Sequence, residues 1–245
     1  MSFGIVVVGD EILSGKRRDT HFEFVVAALK QRGLSLAWAR FVGDDHDLLV
    51  QTYRETLASG DVVFSFGGIG GTPDDITRQC AAEAFGLEIE PHPEAMQILR
   101  EKFGDDVYPH KVRMAEFPVG AELIPNPVNR IAGFSINHHH FVPGFPNMSH
   151  PMVEWVLDHH YAHLFSEPEV EQRIIAEAPE SQLIVAEEAI VEQFPEVRLS
   201  SLPNTQNRRS VDLGLRGKAE DVQRAMVALK GMLDEAGIGW RDVSE

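Results

Sequence analysis

The stretch Gly67-Gly68-Ile69-Gly70-Gly71-Thr72-Pro73-Asp74-Asp75-Ile76-Thr77 decides the fold, because it follows an apolar run and is punctuated like the start of a helix. Asp61-Val62-Val63-Phe64-Ser65-Phe66 reads as a buried strand. Thr72 stands at an N-cap, Pro73 at the favoured first helical position, and Asp75 three residues after the cap, where a carboxylate complements the helix dipole. A helix from Pro73 to Phe85 is therefore predicted. Four glycines in five residues let the backbone turn tightly and present free N–H groups, an anion-binding arrangement. No Gly-Lys-Ser/Thr closes the loop as a Walker A motif, and Pro73 occupies the place of the third glycine of a dinucleotide fingerprint. The candidate phosphate-binding residues are Gly67, Gly68, Gly70, Gly71, Thr72, Asp74 and Thr77. With two aspartates and no lysine in the loop, a divalent metal is the expected bridge to a phosphate-bearing small molecule.

Outward from this stretch, strand and helix patterns alternate. Ile5-Val6-Val7-Val8 is a β-branched run, and Thr20 to Arg32 spaces Phe22, Val25, Val26 and Leu29 as a helix that stops at Gly33. A strand is expected over Leu34 to Val42 and a helix over His46 to Ser59. This alternation implies right-handed crossovers and a mostly parallel sheet, whose ligands gather at the carboxyl ends of the strands. Gly9-Asp10-Glu11, Gly43-Asp44-Asp45 and Gly67 to Asp75 each follow a strand, so they are expected to face one crevice. Asp10, Glu11, Asp44 and Asp75 then offer oxygen ligands to a hard cation such as Mg²⁺, with Asp10 and Asp75 as candidate catalytic carboxylates.

Composition narrows the classes. At 245 residues, with 43% hydrophobic and 24% charged residues, the chain reads as an ordinary globular protein of one or two domains. A formal charge of −16 argues against general affinity for nucleic acid or anionic membranes. The single Cys80 excludes an intramolecular disulfide, the first residues run into a strand without a basic leader, and no window reaches membrane-spanning length. A cytoplasmic location is the expectation.

After Phe165 the pattern changes at Glu167-Pro168-Glu169, giving expected domains at 1-166 and 167-245. The second reads as a strand (Val170 to Ala176), a helix (Ser181 to Gln193), strands (Val197 to Leu202 and Ser210 to Arg216), a helix (Ala219 to Gly237) and a last strand (Trp240 to Val243). That order is the ferredoxin-like split unit of a small α+β domain. Leu229, Met232 and Leu233 are read as core. The histidines, His138-His139-His140, His150 and the group His159, His160 and His163, lack zinc-site spacing and are read as a solvated or pH-sensitive surface.

The segment Gly9-Asp10-Glu11-Ile12-Leu13-Ser14-Gly15, then Asp19-Thr20, Val42-Gly43-Asp44-Asp45 and the Gly67 to Thr77 stretch resemble the molybdopterin-binding domain family. Within that family the order of motifs is most similar to the N-terminal part of the CinA competence/damage-inducible proteins. Arg113, Pro118, Asn126, Gly133 and Pro143-Gly144-Phe145-Pro146 continue the likeness, which spans roughly residues 4 to 165 and adds Gly144 to the binding candidates. The resemblance implies a three-layer α/β/α domain and a homo-oligomer. It also implies divalent-metal chemistry: some CinA-like proteins hydrolyse the pyrophosphate of ADP-ribose, the corresponding domain of FAD synthases is linked to FAD hydrolysis, and the MogA and MoeA relatives handle molybdopterin. The deamidase domain that ends full-length CinA proteins has no counterpart in these residues.

The chain also departs from the family pattern. Gly71 replaces a proline, His21 an asparagine, Asn129-Arg130-Ile131-Ala132 the usual Gly-Thr-Ala-Pro, and Asn147 a glutamate able to bind metal or activate water. Three readings stay open: a magnesium-dependent nucleotide pyrophosphatase, a non-catalytic binder of molybdopterin or a nucleotide phosphate, and an interaction module with a vestigial site.

Overall fold

The computed structural model describes residues 2–204, 207 and 209–243. It divides into two compact units, Met1–Phe165 and Ser166–Glu245.

The first unit opens with β1 (Phe3–Val8), the short α1 (Asp10–Leu13), α2 (His21–Lys30), β2 (Leu36–Val42), α3 (His46–Ser59), β3 (Val62–Phe66) and α4 (Thr77–Phe85). It continues through β4 (Ile89–Pro91), α5 (Pro93–Phe103), β5 (Glu116–Pro118), β6 (Glu122–Ile124), β7 (Gly133–Ile136), β8 (His139–Val142) and α6 (Pro146–His160), which contains Pro151. The main sheet has the order β2-β1-β3-β8-β7-β6. Its first four strands run parallel and β7 runs against β8 and β6.

Every residue of β1 is buried, as a parallel strand covered on both faces must be. Alternation along the strand sends Val6 and Val8 toward Leu49, Tyr53, Cys80 and Met96 of α3, α4 and α5. Phe3, Ile5 and Val7 point the other way, onto Val25 and Leu29 of α2 and Val153 and Val156 of α6. A three-layer α/β/α sandwich results. Because β2 and β3 flank β1 on opposite sides, the chain reverses direction across the sheet at the carboxyl ends of β1 and β3, where such folds open a crevice.

The boundaries of α3 match the reading from sequence, since the Asp45 carboxylate caps the helix by accepting the Leu48 N–H at 2.8 Å and Gly60 ends it in a left-handed conformation. The helix after the glycine loop does not start at Pro73. Asp75 Oδ2 instead accepts both the Thr72 N–H (2.9 Å) and the Thr72 hydroxyl, closing residues 72–75 into a turn of their own, and α4 begins at Thr77. The local capping signals are real, but they build a turn that is not continued.

The second unit contains β9 (Val170–Ala176), α7 (Ile184–Gln193), β10 (Arg198–Pro203), β11 (Val211–Gly217), α8 (Ala219–Glu235) and β12 (Trp240–Asp242). Its fully antiparallel order, β10-β11-β9-β12, is that of a ferredoxin-like sheet. Ile174, Leu213, Leu215, Val222, Leu229 and Leu233 form its core, with Met232 packed against it. Among the described residues, no helix is long and apolar enough to cross a membrane.

Candidate functional site

Four strand ends, rather than three, meet at one edge of the main sheet: those of β1, β2, β3 and β8. The β3 end is the tightest. Gly67 donates its N–H to the Val142 carbonyl (3.0 Å) and has φ +97°, and a Cβ there would lie 2.5 Å from the Val8 carbonyl oxygen. Gly144, after β8, approaches so closely that a Cβ on it would touch the Gly67 Cα at 3.4 Å. Gly67 admits no side chain at this junction, and Gly144 packs against it in van der Waals contact.

Above it opens a cavity of about 460 Å³, lined by Gly67 to Thr72, Gly144, Glu11, Asp44, Asp74 and Asp75 on its polar side. Ile69, Met114, Ile131, Phe145 and Met148 supply an apolar wall, and Asn126 and Asn129 complete the rim. Asn126 is a buried organiser whose amide donates to the Ile131 carbonyl (3.1 Å) and accepts the Val128 N–H (3.0 Å). Of the sequence candidates, Thr77 is buried behind the loop, where its N–H bonds the Gly68 carbonyl at 3.0 Å, and it does not line the cavity. Asn147 does not line it either.

Asp10 lines an adjoining opening with Glu11, Asp44, Asp74 and Lys16. Asp10 and Asp44 are locked reciprocally: the Asp10 N–H bonds Asp44 Oδ2 (3.1 Å) and the Asp44 N–H bonds Asp10 Oδ1 (3.2 Å). Burial, followed by the nearby Asp10, Glu11 and Asp74 charges, raises Asp44 above the usual carboxylate range, against a lowering from its bond to the Asp10 backbone. Hydrogen bonding from Thr72 holds Asp74 low. These oxygen donors suit a hard cation. Among the described residues, however, no three His, Cys, Asp or Glu side chains already converge as a metal cage.

Two arginines that sequence reasoning passed over shape the loop. Arg78, on α4, is 1% exposed and donates to the carbonyls of Ile69 (2.8 Å) and Gly70 (2.5 Å), while its Nε has no hydrogen-bond partner among the described residues. Burial lowers its pKa to about 10, opposed by Asp75 and Glu116, so it stays charged at neutral pH. Arg17 lines the cavity from the β1 side. The signal for Arg78 was present in sequence: a cation at the start of the helix behind a glycine loop has that loop's carbonyls within reach.

A second cavity, of about 390 Å³, lies at the opposite edge of the sheet, lined by Glu122, Ser135, His138, His140, His160, Tyr161 and His163. His139 and His140 are 1% and 3% exposed, which corrects the expectation of a solvated surface for this run. The His139 Nδ1–H donates to the Asn137 carbonyl and its Nε2 meets the Thr56 hydroxyl, both at 2.8 Å. His140 bonds the Ser135 hydroxyl (2.8 Å) and the Tyr161 hydroxyl (2.7 Å). Burial lowers His139 to about 4 and drives His140 far down as well. His159, outside this cavity, stacks on Trp155 with ring centroids 4.2 Å apart. His21 also is buried, stacked on Phe66 at 4.3 Å, and burial lowers it to about 4, with Asp19 opposing.

The family model described as "Probable molybdopterin binding domain" matches residues 4–163. The chain belongs to this molybdopterin-binding-domain family, and its first unit is of the CinA-like kind. A CinA-like protein of Anaeromyxobacter sp. (strain K) is 36% identical over 176 residues, covering 69% of this chain and 43% of that protein. Another, from Geobacter metallireducens, is 35% identical over 161 residues, covering 63% of this chain and 39% of that protein. The chain therefore matches less than half the length of these curated relatives. The crystal structure of the protein CinA from Thermoplasma acidophilum, described as of unknown function, superimposes with a TM-score of 0.59 at 26% identity, over 64% of this chain and 98% of that one.

Proposed function

We propose that the first unit binds a phosphate-bearing small molecule, a pterin phosphate or a nucleotide, in the cavity above Gly67 to Thr72. The observation that carries this reading is the run Gly68 to Gly71 along the cavity, whose N–H groups meet no hydrogen-bond acceptor among the described residues, beside a Gly67 held tight between β1 and β8. The apolar wall of Ile69, Met114, Ile131, Phe145 and Met148 gives a planar ring system a surface to lie on.

Metal-dependent hydrolysis of a nucleotide pyrophosphate, such as that of ADP-ribose, is a second reading. The crowding of Asp10, Glu11, Asp44 and Asp74 at the adjoining opening favours it. A divalent cation such as Mg²⁺ held there would polarise a phosphoryl oxygen and activate water. Asp10 and Asp44 are held in place by their shared backbone bonds and would act as oxygen donors. Asp75 fits the catalytic part less well, because one of its carboxylate oxygens is committed to Thr72. A location in the cytoplasm and assembly into a homo-oligomer accord with this reading as further proposals.

Gly70→Val tests the binding reading. A Cβ at Gly70 would lie 2.4 Å from Asp75 Oδ2, so the longer side chain must dislodge the turn that shapes the loop. Calorimetric titration with ADP-ribose, FAD and a pterin phosphate should show affinity reduced at least about 100-fold, the size of losing two charge-assisted bonds. Unchanged affinity would reject the site. Phosphorus NMR with Mg²⁺ or EDTA decides between turnover and binding alone.

A further inference from the structure

Arg17 is the one cationic side chain among the residues lining the main cavity, where it faces a lining that includes Glu11, Asp44, Asp74 and Asp75. Such surroundings ordinarily capture an arginine in an ion pair. Among the described residues none of these carboxylates pairs with it, whereas the adjacent Arg18 bonds Glu23 at 2.9 Å. Arg17 is instead held by other means. Its N–H bonds the Glu11 carbonyl at 3.0 Å, and its guanidinium carbon lies 5.5 Å from the centroid of the Phe145 ring. Phe145 belongs to the segment that follows β8, so the contact braces Arg17 between two of the strand ends that frame the cavity. The guanidinium's N–H donors remain unspent at the cavity surface.

We propose that Arg17 contacts the ligand's phosphate and completes, with the Gly68 to Gly71 backbone, the anion site of this chain. The inference rests on the binding reading above and deepens it by naming the side chain that recognises the charge. A glycine loop beside four carboxylates repels a phosphate unless a fixed positive group offsets them. Arg17 supplies that offset in contact with the ligand, while Arg78, buried beneath the loop, is a positioning residue that holds the Ile69 and Gly70 carbonyls away from it. The carboxylate side of the cavity is left to the ligand's hydroxyl or amino groups.

Titration calorimetry of the full chain with inorganic pyrophosphate, at low and moderate salt and with either EDTA or Mg²⁺, tests the assignment. Arg17 is exposed and has no ion-pair partner among the described residues, so Arg17→Gln should keep a melting temperature close to that of the wild type. It should bind pyrophosphate about tenfold or more weakly and lose much of the salt dependence, whereas Arg17→Lys should recover part of both. Wild-type affinity and salt dependence in Arg17→Gln, alongside lost binding in Gly70→Val, would overturn the role of Arg17 and leave the loop reading intact. Absence of pyrophosphate binding by the wild-type chain in every condition would overturn both.

Discussion

The two edges of the main sheet are made from the same strands and do opposite things with polar groups. At the carboxyl ends of β3 and β8 lie Gly67, which admits no side chain, and Gly144 packed against it, and carboxylates crowd around open space. At the other end of β8, His139 and His140 are sealed in, neutral, and hydrogen-bonded to Thr56, Ser135 and Tyr161. One edge leaves its polar groups facing open space. The other satisfies these two imidazoles within the protein, as their burial requires.

The largest expected effect lies at the glycine edge. Gly67→Ala should lower unfolding stability by about 3 kcal/mol, from a positive φ and the collision with the Val8 carbonyl, as read by denaturant unfolding. A loss below about 1 kcal/mol would mean that the junction can relax, and the contrast between the edges would weaken.

Acid probes the histidine edge. Folding holds His139 near 4 against about 6.5 in the unfolded chain, so the unfolded state takes up more protons between these values and stability falls as the pH drops through that window. His139 alone should cost roughly 1.5 kcal/mol between pH 6.5 and pH 5, with His140 adding in the same direction. In His139→Gln the pH slope of unfolding should be shallower. An unchanged slope would show that this imidazole is not the sealed neutral group described.

The smallest effect returns to the open edge. Asp44 sits among like charges, so Asp44→Asn should stabilise the ligand-free chain by roughly 0.3–0.5 kcal/mol after solvent screening, with the amide oxygen still able to accept the Asp10 N–H. Thermal melting reads this directly. Destabilisation would make Asp44 a structural residue and remove its claim to serve a ligand or a metal.

Sequence alone carried the α/β alternation and the ferredoxin-like order, since both are written in local periodicity: α3 and β9 have the boundaries that their apolar spacing predicts. It misplaced the start of α4 because a capping box and a closed turn share one residue pattern, and only the tertiary bond from the Thr77 N–H to Gly68 distinguishes them. The buried histidines were illegible for a related reason. His139 takes one partner from nearby Asn137 but the other from Thr56, 83 residues away, and His140 one from nearby Ser135 but the other from Tyr161, 21 residues away, so the local sequence carries only half of what satisfies them. Of the site, the glycines and carboxylates were visible because their meaning is local, while Arg17 became a cavity residue only once the segment bearing Phe145 was folded against it.

Pro151 inside α6 bears on how the cavity wall moves. Lacking an amide hydrogen, it cannot bond the Asn147 carbonyl four residues earlier, and its ring crowds that carbonyl. The turn that follows Phe145 and carries Met148 into the cavity lining is therefore tied to the rest of the helix by one bond fewer than its length implies. Amide exchange should pick out this first turn as opening ahead of the helix behind it, carrying Met148 with it.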